Sequence, residues 1–146
     1  MFSHVTLGTN DLALASAFYD AVLAPLGMRR RQVTPDGGPP SACWISPKAT
    51  LPRFYVYMPF DRALASVGNG SMVAFLAPTV EAVKASYKAG IEAGGHDEGP
   101  RVHYAVGYYG AYLRDPDGNK VHVVHRGDLP ESDAKVSDTE KTNHAV

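Results

Sequence analysis

A β-hairpin near the end of the chain constrains the fold more than any other stretch. The run Gly-Tyr-Tyr-Gly-Ala-Tyr-Leu-Arg-Asp-Pro-Asp-Gly-Asn-Lys-Val-His-Val-Val-His contains two segments suited to strands, 108–114 and 120–125. Proline at position 116 fits the second position of a tight turn, and Gly118 or Asn119 can adopt the positive φ that closes it. The sequence therefore predicts a hairpin whose second strand carries a histidine.

The bulk composition indicates one globular domain. A chain of 146 residues, 45% hydrophobic and 20% charged, is long enough to bury a core. Its net charge of −1 gives no basic excess that would attract nucleic acid or an acidic membrane surface. No apolar run approaches the length of a membrane span, and the N-terminus does not read as a signal peptide. A single cysteine, Cys43, fits a reducing compartment, so we expect a cytoplasmic protein.

Two regions of the chain repeat one order of elements, strand–helix–three strands. In the first, period-two alternation predicts a strand at 2–8, and three further strands are expected at 28–33, 41–46 and 53–58. Between the first two strands, apolar residues recur at helical spacing after the N-cap candidates Thr9-Asn10-Asp11. These helical positions are Leu12, Ala15, Phe18, Tyr19, Val22 and Leu23.

The second region begins with a strand at 71–77, followed by a helix that Thr79 can cap. A short strand within 96–106 and the hairpin complete the repeat. We therefore expect a single domain over residues 1–126. It divides into module one (about 1–58), a connector (59–70) and module two (about 71–126), and a mobile polar tail (127–146) follows.

The two βαβββ modules, His4 on the first strand and the sequence Tyr-Leu-Arg-Asp-Pro-Asp-Gly-Asn at 112–119 resemble the vicinal oxygen chelate superfamily. That superfamily includes glyoxalase I, extradiol dioxygenases, fosfomycin-resistance proteins and bleomycin-binding proteins, and small glyoxalase-like proteins are the most similar members. The resemblance implies an α+β fold in which a curved mixed sheet forms a cup with helices outside. Because relatives often pair modules from two chains, it also implies a homodimer, with cups formed within one chain or between two.

The resemblance also raises the question of a metal. Relatives that use a divalent ion (Zn, Ni, Fe or Mn) place one ligand on the first and last strand of each module, commonly two His and two Glu or Gln. In this chain the corresponding positions are His4, Tyr55 or Tyr57, Met72 and His122. The thioether of Met72 is a poor ligand in such an oxygen-rich site, and none of these residues is a carboxylate. A third ligand could come from His103 or a tyrosinate, although the pattern predicts neither. We expect the cup to lack the usual metal centre and keep His4 and His122 as the candidate ligands.

Alternation along the strands assigns the side chains that face the cup and could bind a ligand. For the two histidines, hydrogen bonding to a neighbouring strand and contact with a ligand both remain open. Arg114 either binds a carboxylate or phosphate or forms an ion pair that orders the turn. Tyrosines at 104, 108, 109 and 112 suit a flat aromatic ligand or simple sheet packing. The cup-facing set is His4, Thr6, Met72, Tyr112, Arg114 and His122.

Two functional hypotheses follow, and no catalytic residue is identified for either. In the first, the protein binds a small oxygenated or aromatic molecule, such as an antibiotic, in the cup without a metal centre. In the second, which the resemblance implies, it is a metal-dependent lyase, isomerase or dioxygenase, similar to lactoylglutathione lyase, that acts on a small metabolite.

Overall fold

The computed structural model describes residues 1–99 and 106–129. The predictions for His103, for Tyr104 and for the tail beyond residue 129 lie outside these residues. The helices and strands, in chain order, are β1 (His4–Gly8), α1 (Leu12–Leu23), a 3₁₀ turn (Ala24–Leu26), β2 (Arg29–Arg31), β3 (Ser41–Ile45), β4 (Arg53–Tyr57), β5 (Val73–Ala77), α2 (Val80–Glu92), β6 (His96–Asp97), β7 (Tyr108–Arg114) and β8 (Lys120–Arg126).

Within the described residues the strands form two four-stranded mixed sheets, one per module. Their orders are β1-β4-β3-β2 and β5-β8-β7-β6. In each sheet the first strand of the module runs parallel to the last, and the remaining neighbours are antiparallel. The predicted α+β fold of two βαβββ modules is therefore confirmed, with the strands divided between two sheets.

The helices begin where side chains can cap them. Asp11 accepts a hydrogen bond from the backbone N–H of Leu14 at 3.0 Å, and Thr79 accepts one from Ala82 at 3.0 Å. Each cap satisfies an N–H group that has no partner inside its helix. None of the helices in the described part of the chain is long and apolar enough to cross a membrane.

One apolar core joins the two modules. Phe54 of β4 lies between Tyr19 of α1 and Phe75 of β5, with ring centroids 4.8 and 5.0 Å away. The helices also approach each other closely, because a Cβ built on Gly90 of α2 would lie 2.8 Å from a methyl carbon of Val22. A single large core of this kind is what a chain of this length can bury.

Some strands are shorter than predicted, for local reasons. β1 begins at His4, whose partner is Arg53. Pro52, the residue before Arg53, has no N–H to extend the ladder. β5 begins at Val73 because residues 68–71 form a turn, in which Ser71 N–H donates to the Gly68 carbonyl at 3.2 Å. Met72, predicted to lie within this strand, stands just before it.

The hairpin turn links module two to module one. Gly118 has a positive φ (93°), and its N–H donates to the Asp115 carbonyl at 2.9 Å. Of the two residues predicted to adopt a positive φ, Gly118 and Asn119, it is therefore Gly118 that closes the turn. The buried Asp115 carboxylate accepts a hydrogen bond from the Tyr19 hydroxyl at 2.7 Å. The amide of Asn119 donates to the Gly8 carbonyl at 2.9 Å. The turn therefore positions the two sheets relative to each other.

Candidate functional site

The outer face of the module-two sheet carries half of the predicted site. Ala111, Leu113, Val121 and Val123 point to the helices and belong to the core. Because side chains alternate along a strand, the intervening residues occupy the opposite face. We call this surface the module-two face; its residues are Ala74, Leu76, Tyr108, Tyr112, Arg114, Lys120 and His122.

His122 is held at the centre of this face. Its ring stacks on that of Tyr112, with centroids 4.1 Å apart and planes inclined by 11°. Nδ1 lies 3.0 Å from the Ala111 carbonyl and Nε2 lies 3.0 Å from the Tyr108 hydroxyl. The ring also lies directly over Gly110, where a Cβ would be 2.9 Å from Nε2. His122 is only 2% exposed, so it supports this surface from below.

These partners define the protonation of His122. A carbonyl can only accept, so Nδ1 carries the proton, and Nε2 accepts from the Tyr108 hydroxyl. Burial lowers the pKa of His122 below its ordinary value of 6.5, and the charge of Lys120 lowers it further, against the opposing effect of the Ala111 carbonyl. The imidazole is therefore neutral at physiological pH.

The exposed layer above His122 is aromatic and aliphatic. Tyr112 is half-buried, and the Lys120 amine lies 5.2 Å from its ring centroid. Ala74, paired with His122 across the strands, is exposed, and Leu76 is 66% exposed. An open apolar surface beside a fixed ring pair can accept a flat ligand.

Arg114 takes one of its two predicted roles. Its guanidinium donates to Glu98 at 2.7 Å and to the Gly118 carbonyl at 3.1 Å. The ion pair therefore forms, and the second hydrogen bond braces the hairpin turn. Glu98 also supplies the negative charge beside this guanidinium that a ligand carboxylate would otherwise supply.

The other predicted residues lie around the first strand of module one. His4 is exposed and packs edge-on against Tyr55 at 5.6 Å. It lines a cavity of about 540 Å³ with Thr6, Tyr57 and the connector. Thr6 also lines a second groove, of about 410 Å³, where it meets Met72 and Lys120. The predicted set is thus divided among the module-two face, this cavity and the groove.

The residues at the four ligand positions do not fit the usual metal centre. Both nitrogens of His122 are engaged, and Ala74, not Met72, is its direct partner on β5. The remaining positions supply an exposed imidazole, a phenol and a thioether, a set that hard and borderline divalent ions bind poorly. No group of three or more His, Cys, Asp or Glu side chains suited to a metal occurs in residues 1–99 and 106–129.

Sequence reasoning missed the role of three residues at this face. Tyr108 supplies the hydrogen bond to Nε2, Lys120 covers Tyr112, and Gly110 leaves room for the imidazole. The sequence did contain a signal for the role of Lys120. A turn at 115–119 pairs Arg114 with Lys120 and Tyr112 with His122, which places Lys120 near Tyr112 on the same face. The reach of Tyr108 across Gly110 depends on three-dimensional detail that alternation does not contain.

Each of the two βαβββ modules contains one helix, and its first and last strands form a parallel pair. This arrangement defines the class of paired-module α+β proteins. The chain belongs to the Glyoxalase/Bleomycin resistance protein/Dioxygenase superfamily, whose family model matches residues 1–123. The predicted resemblance is therefore confirmed.

Solved structures agree with this assignment. A glyoxalase/bleomycin resistance protein from Albidiferax ferrireducens T118 is 39% identical, with a TM-score of 0.74, over 86% of this chain and 98% of that one. A lactoylglutathione lyase from Agrobacterium tumefaciens is 22% identical, with a TM-score of 0.59, over 85% and 92% of the two chains. The second likeness concerns the fold alone. A search of curated proteins gave no significant match.

Proposed function

We propose that the protein binds a small aromatic or oxygenated molecule on the module-two face without a metal centre. The observation that supports this most directly is the Tyr112–His122 stack at 4.1 Å, fixed from below and flanked by exposed aliphatic groups. A rigid ring pair loses little conformational entropy when a ligand packs on it, so more of the contact energy appears as affinity.

The polar groups beside the stack suit a ligand that also carries oxygen. The Lys120 amine stands over Tyr112, and the described residues place no carboxylate within 4.0 Å of it. It can therefore donate to a hydroxyl or carbonyl oxygen of a ring that packs on Ala74 and Leu76 beside the stack. Aromatic contact would supply most of the affinity, and Lys120 would orient the ligand.

The metal-dependent alternative needs a different arrangement of His122. Its Nε2 would have to release the Tyr108 hydroxyl before it could coordinate an ion. Stoichiometric Zn, Ni, Mn or Fe(II) in the purified protein, lost when both histidines are replaced by alanine, would overturn the metal-free proposal. A lyase, isomerase or dioxygenase activity would then be the better hypothesis.

Replacing Tyr112 by leucine should weaken binding of an aromatic probe such as 1-naphthamide. Loss of one ring contact of this kind costs about 0.5–1.5 kcal/mol, or about 2- to 12-fold in Kd. The measurement is an NMR titration of protein labelled at methyl groups, because the methyls of Ala74 and Leu76 report on the proposed surface. In the wild type these methyl signals should shift and saturate.

The matched control for this titration is Tyr87→Leu, the same change on α2, behind the sheet. It should leave the Kd for the probe unchanged. Absence of saturable shifts at Ala74 and Leu76, or equal weakening by the two substitutions, would contradict the proposed site.

We also propose a homodimer. Phe60 and Leu64 of the connector are each 85% exposed, which is unusual for large apolar side chains. Among the described strands, β1 and β5 each have a hydrogen-bonded neighbour on one side only. An apolar connector next to strand edges that can accept further strands is a surface on which a second copy could dock.

Replacing Phe60 by lysine should convert this dimer to monomer at micromolar concentration. Exposing a buried phenylalanine site costs about 1.5–3 kcal/mol, so the dissociation constant should rise at least about tenfold. Sedimentation velocity across a concentration series measures it. Leu14→Lys, at a 45% exposed position of α1, is the control and should remain dimeric. A wild-type protein that sediments as a monomer at all concentrations would refute the proposal.

A further inference from the structure

Three arginines share the outer face of the module-one sheet. On β2, Arg30 lies on the helix side, because its guanidinium pairs with Asp20 of α1 at 2.5 Å. Its two neighbours in the strand therefore point to the opposite side. On β4, Phe54 is in the core, so Arg53 points to this same side. We call this surface the arginine face; its members are Arg29, Arg31 and Arg53.

The strand register brings two of these arginines toward one place. Arg31 is paired with Cys43, and Cys43 with Tyr55, so the three lie in a row across the sheet. Arg53 is two residues from Tyr55 on the same strand and donates to its hydroxyl at 3.3 Å. β2 and β4 lie about 10 Å apart, two strand spacings, a gap that two long arginine side chains can span from either side.

Arg53 is held in position by the chain around it. Its Nε donates to the Thr50 carbonyl at 3.2 Å, in addition to the Nη1 contact with Tyr55. These two bonds use two of the five N–H donors of the guanidinium, which leaves a further edge available to a ligand. The side chain is half-buried, so its orientation is fixed more firmly than that of a surface lysine.

The positive charge of this face has no internal counter-ion in the part of the chain that the structure describes. Arg30, Arg114 and Arg126 each pair with a carboxylate at 2.5–2.9 Å. No carboxylate of the described residues lies within 4.0 Å of the guanidiniums of the arginine face. Cys43 does not replace one, because burial raises the pKa of its thiol, and the Tyr55 hydrogen bond and the charges of Arg53 and Arg31 only partly oppose this. The chain has a net charge of −1, so a general basic excess does not explain the cluster.

We propose that the arginine face binds the oxyanion of a small molecule, a carboxylate or a phosphate, between Arg31 and Arg53. Planar guanidiniums match the oxygens of both groups in bidentate geometry. The Tyr55 hydroxyl, which accepts from Arg53, keeps that guanidinium beside this place. This inference does not rest on the proposed aromatic site, since the two lie on different sheets and share no side chain.

The test follows the arginine Nε–Hε signals of ¹⁵N-labelled protein during titration with sodium phosphate and, separately, with sodium acetate. Ionic strength is held constant with sodium chloride. The signals of Arg31 and Arg53 should shift and saturate with a common Kd, while Arg30, occupied by Asp20, should not. Saturation with phosphate alone would identify a phosphate site, and tighter binding of acetate would identify a carboxylate site.

Substitution tests whether the two arginines act together. Arg31→Gln and Arg53→Gln should each weaken anion binding by about three- to tenfold. The double substitution should cost less than the product of the two, because both contact one anion. Lys88→Gln removes the same charge from the exposed surface of α2 and is the control. Linear shifts without saturation, or equal weakening by Lys88→Gln, would overturn the proposal.

Titration with 1-naphthamide should be unaffected by the arginine substitutions. Failure of the anion-binding proposal would therefore leave the aromatic site to be judged separately.

Discussion

Replacing Asp115 by alanine is expected to destabilise the protein by about 3 kcal/mol or more. The carboxylate is fully buried and accepts four hydrogen bonds. Two come from side chains, the Tyr19 hydroxyl at 2.7 Å and the Asn119 amide at 2.9 Å. Two come from the backbone N–H groups of Asp117 at 3.0 Å and Asn119 at 2.9 Å. Alanine would leave these donors without an acceptor, and each buried unsatisfied group costs about 1–3 kcal/mol.

Urea denaturation followed by circular dichroism measures this change. Asp128→Ala is the control, since its carboxylate pairs with Arg126 at the surface and should cost under about 1 kcal/mol. Tyr19→Phe removes the hydroxyl that is one of the four donors and leaves the other three bonded to Asp115. Its cost should therefore be well below that of Asp115→Ala. A variant lacking Asp115 that remained within about 1 kcal/mol of the wild type would show that the turn does not hold the modules together.

The hairpin that identifies the superfamily therefore has a structural role. Asp115 accepts from Tyr19, Asn119 donates to the Gly8 carbonyl, and Asp117 accepts from Thr9 at 2.5 Å. All three partners belong to module one. A turn that fixes the relative position of two modules serves any chemistry that their faces support. This explains why the motif indicates the fold clearly and the activity poorly.

Local signals in the sequence predicted the order of the elements and the sides to which several strand residues point. Thr79, and Asp11 as one of three N-cap candidates, follow from helix-capping preferences. The alternation also separates the core-facing from the outward-facing residues of β7 and β8. These features depend on neighbours within a few residues or across one tight turn, so pattern reasoning captures them.

Contacts between distant parts of the chain could not be predicted in the same way. The Tyr19–Asp115 hydrogen bond joins residues 96 positions apart. The placement of Arg31 and Arg53 on one face depends on how β3 pairs with β2 and β4 across the loops at 32–40 and 46–52. Met72 was wrongly placed in a strand because the turn before β5 extends further than Gly70 alone suggests. The first two depend on tertiary packing, which overrides local propensity. The third reflects the local turn closed by the hydrogen bond from Ser71 to Gly68.

The largest effect on the candidate site is expected from Gly110→Ala. Gly110 has no positive φ, so alanine is compatible with the backbone there. The added methyl would instead overlap the imidazole of His122, with Nε2 at 2.9 Å and Cε1 closer still. The ring has to move, and it would lose the Tyr108 and Ala111 hydrogen bonds and the stack on Tyr112. Overpacking of this kind costs about 1–3 kcal/mol.

A double-mutant cycle with His122→Ala separates this cause from a general effect of the substitution. In the wild-type background Gly110→Ala should destabilise the protein and weaken 1-naphthamide binding, and the ¹⁵N signals of His122 should lose the pattern of a fixed Nδ1–H tautomer. In the His122→Ala background the ring is absent and the methyl has room, so the same substitution should cost under about 0.5 kcal/mol. An equal cost in both backgrounds would mean that Gly110 does not serve His122. The supporting role assigned to the imidazole beneath Tyr112 would then be wrong.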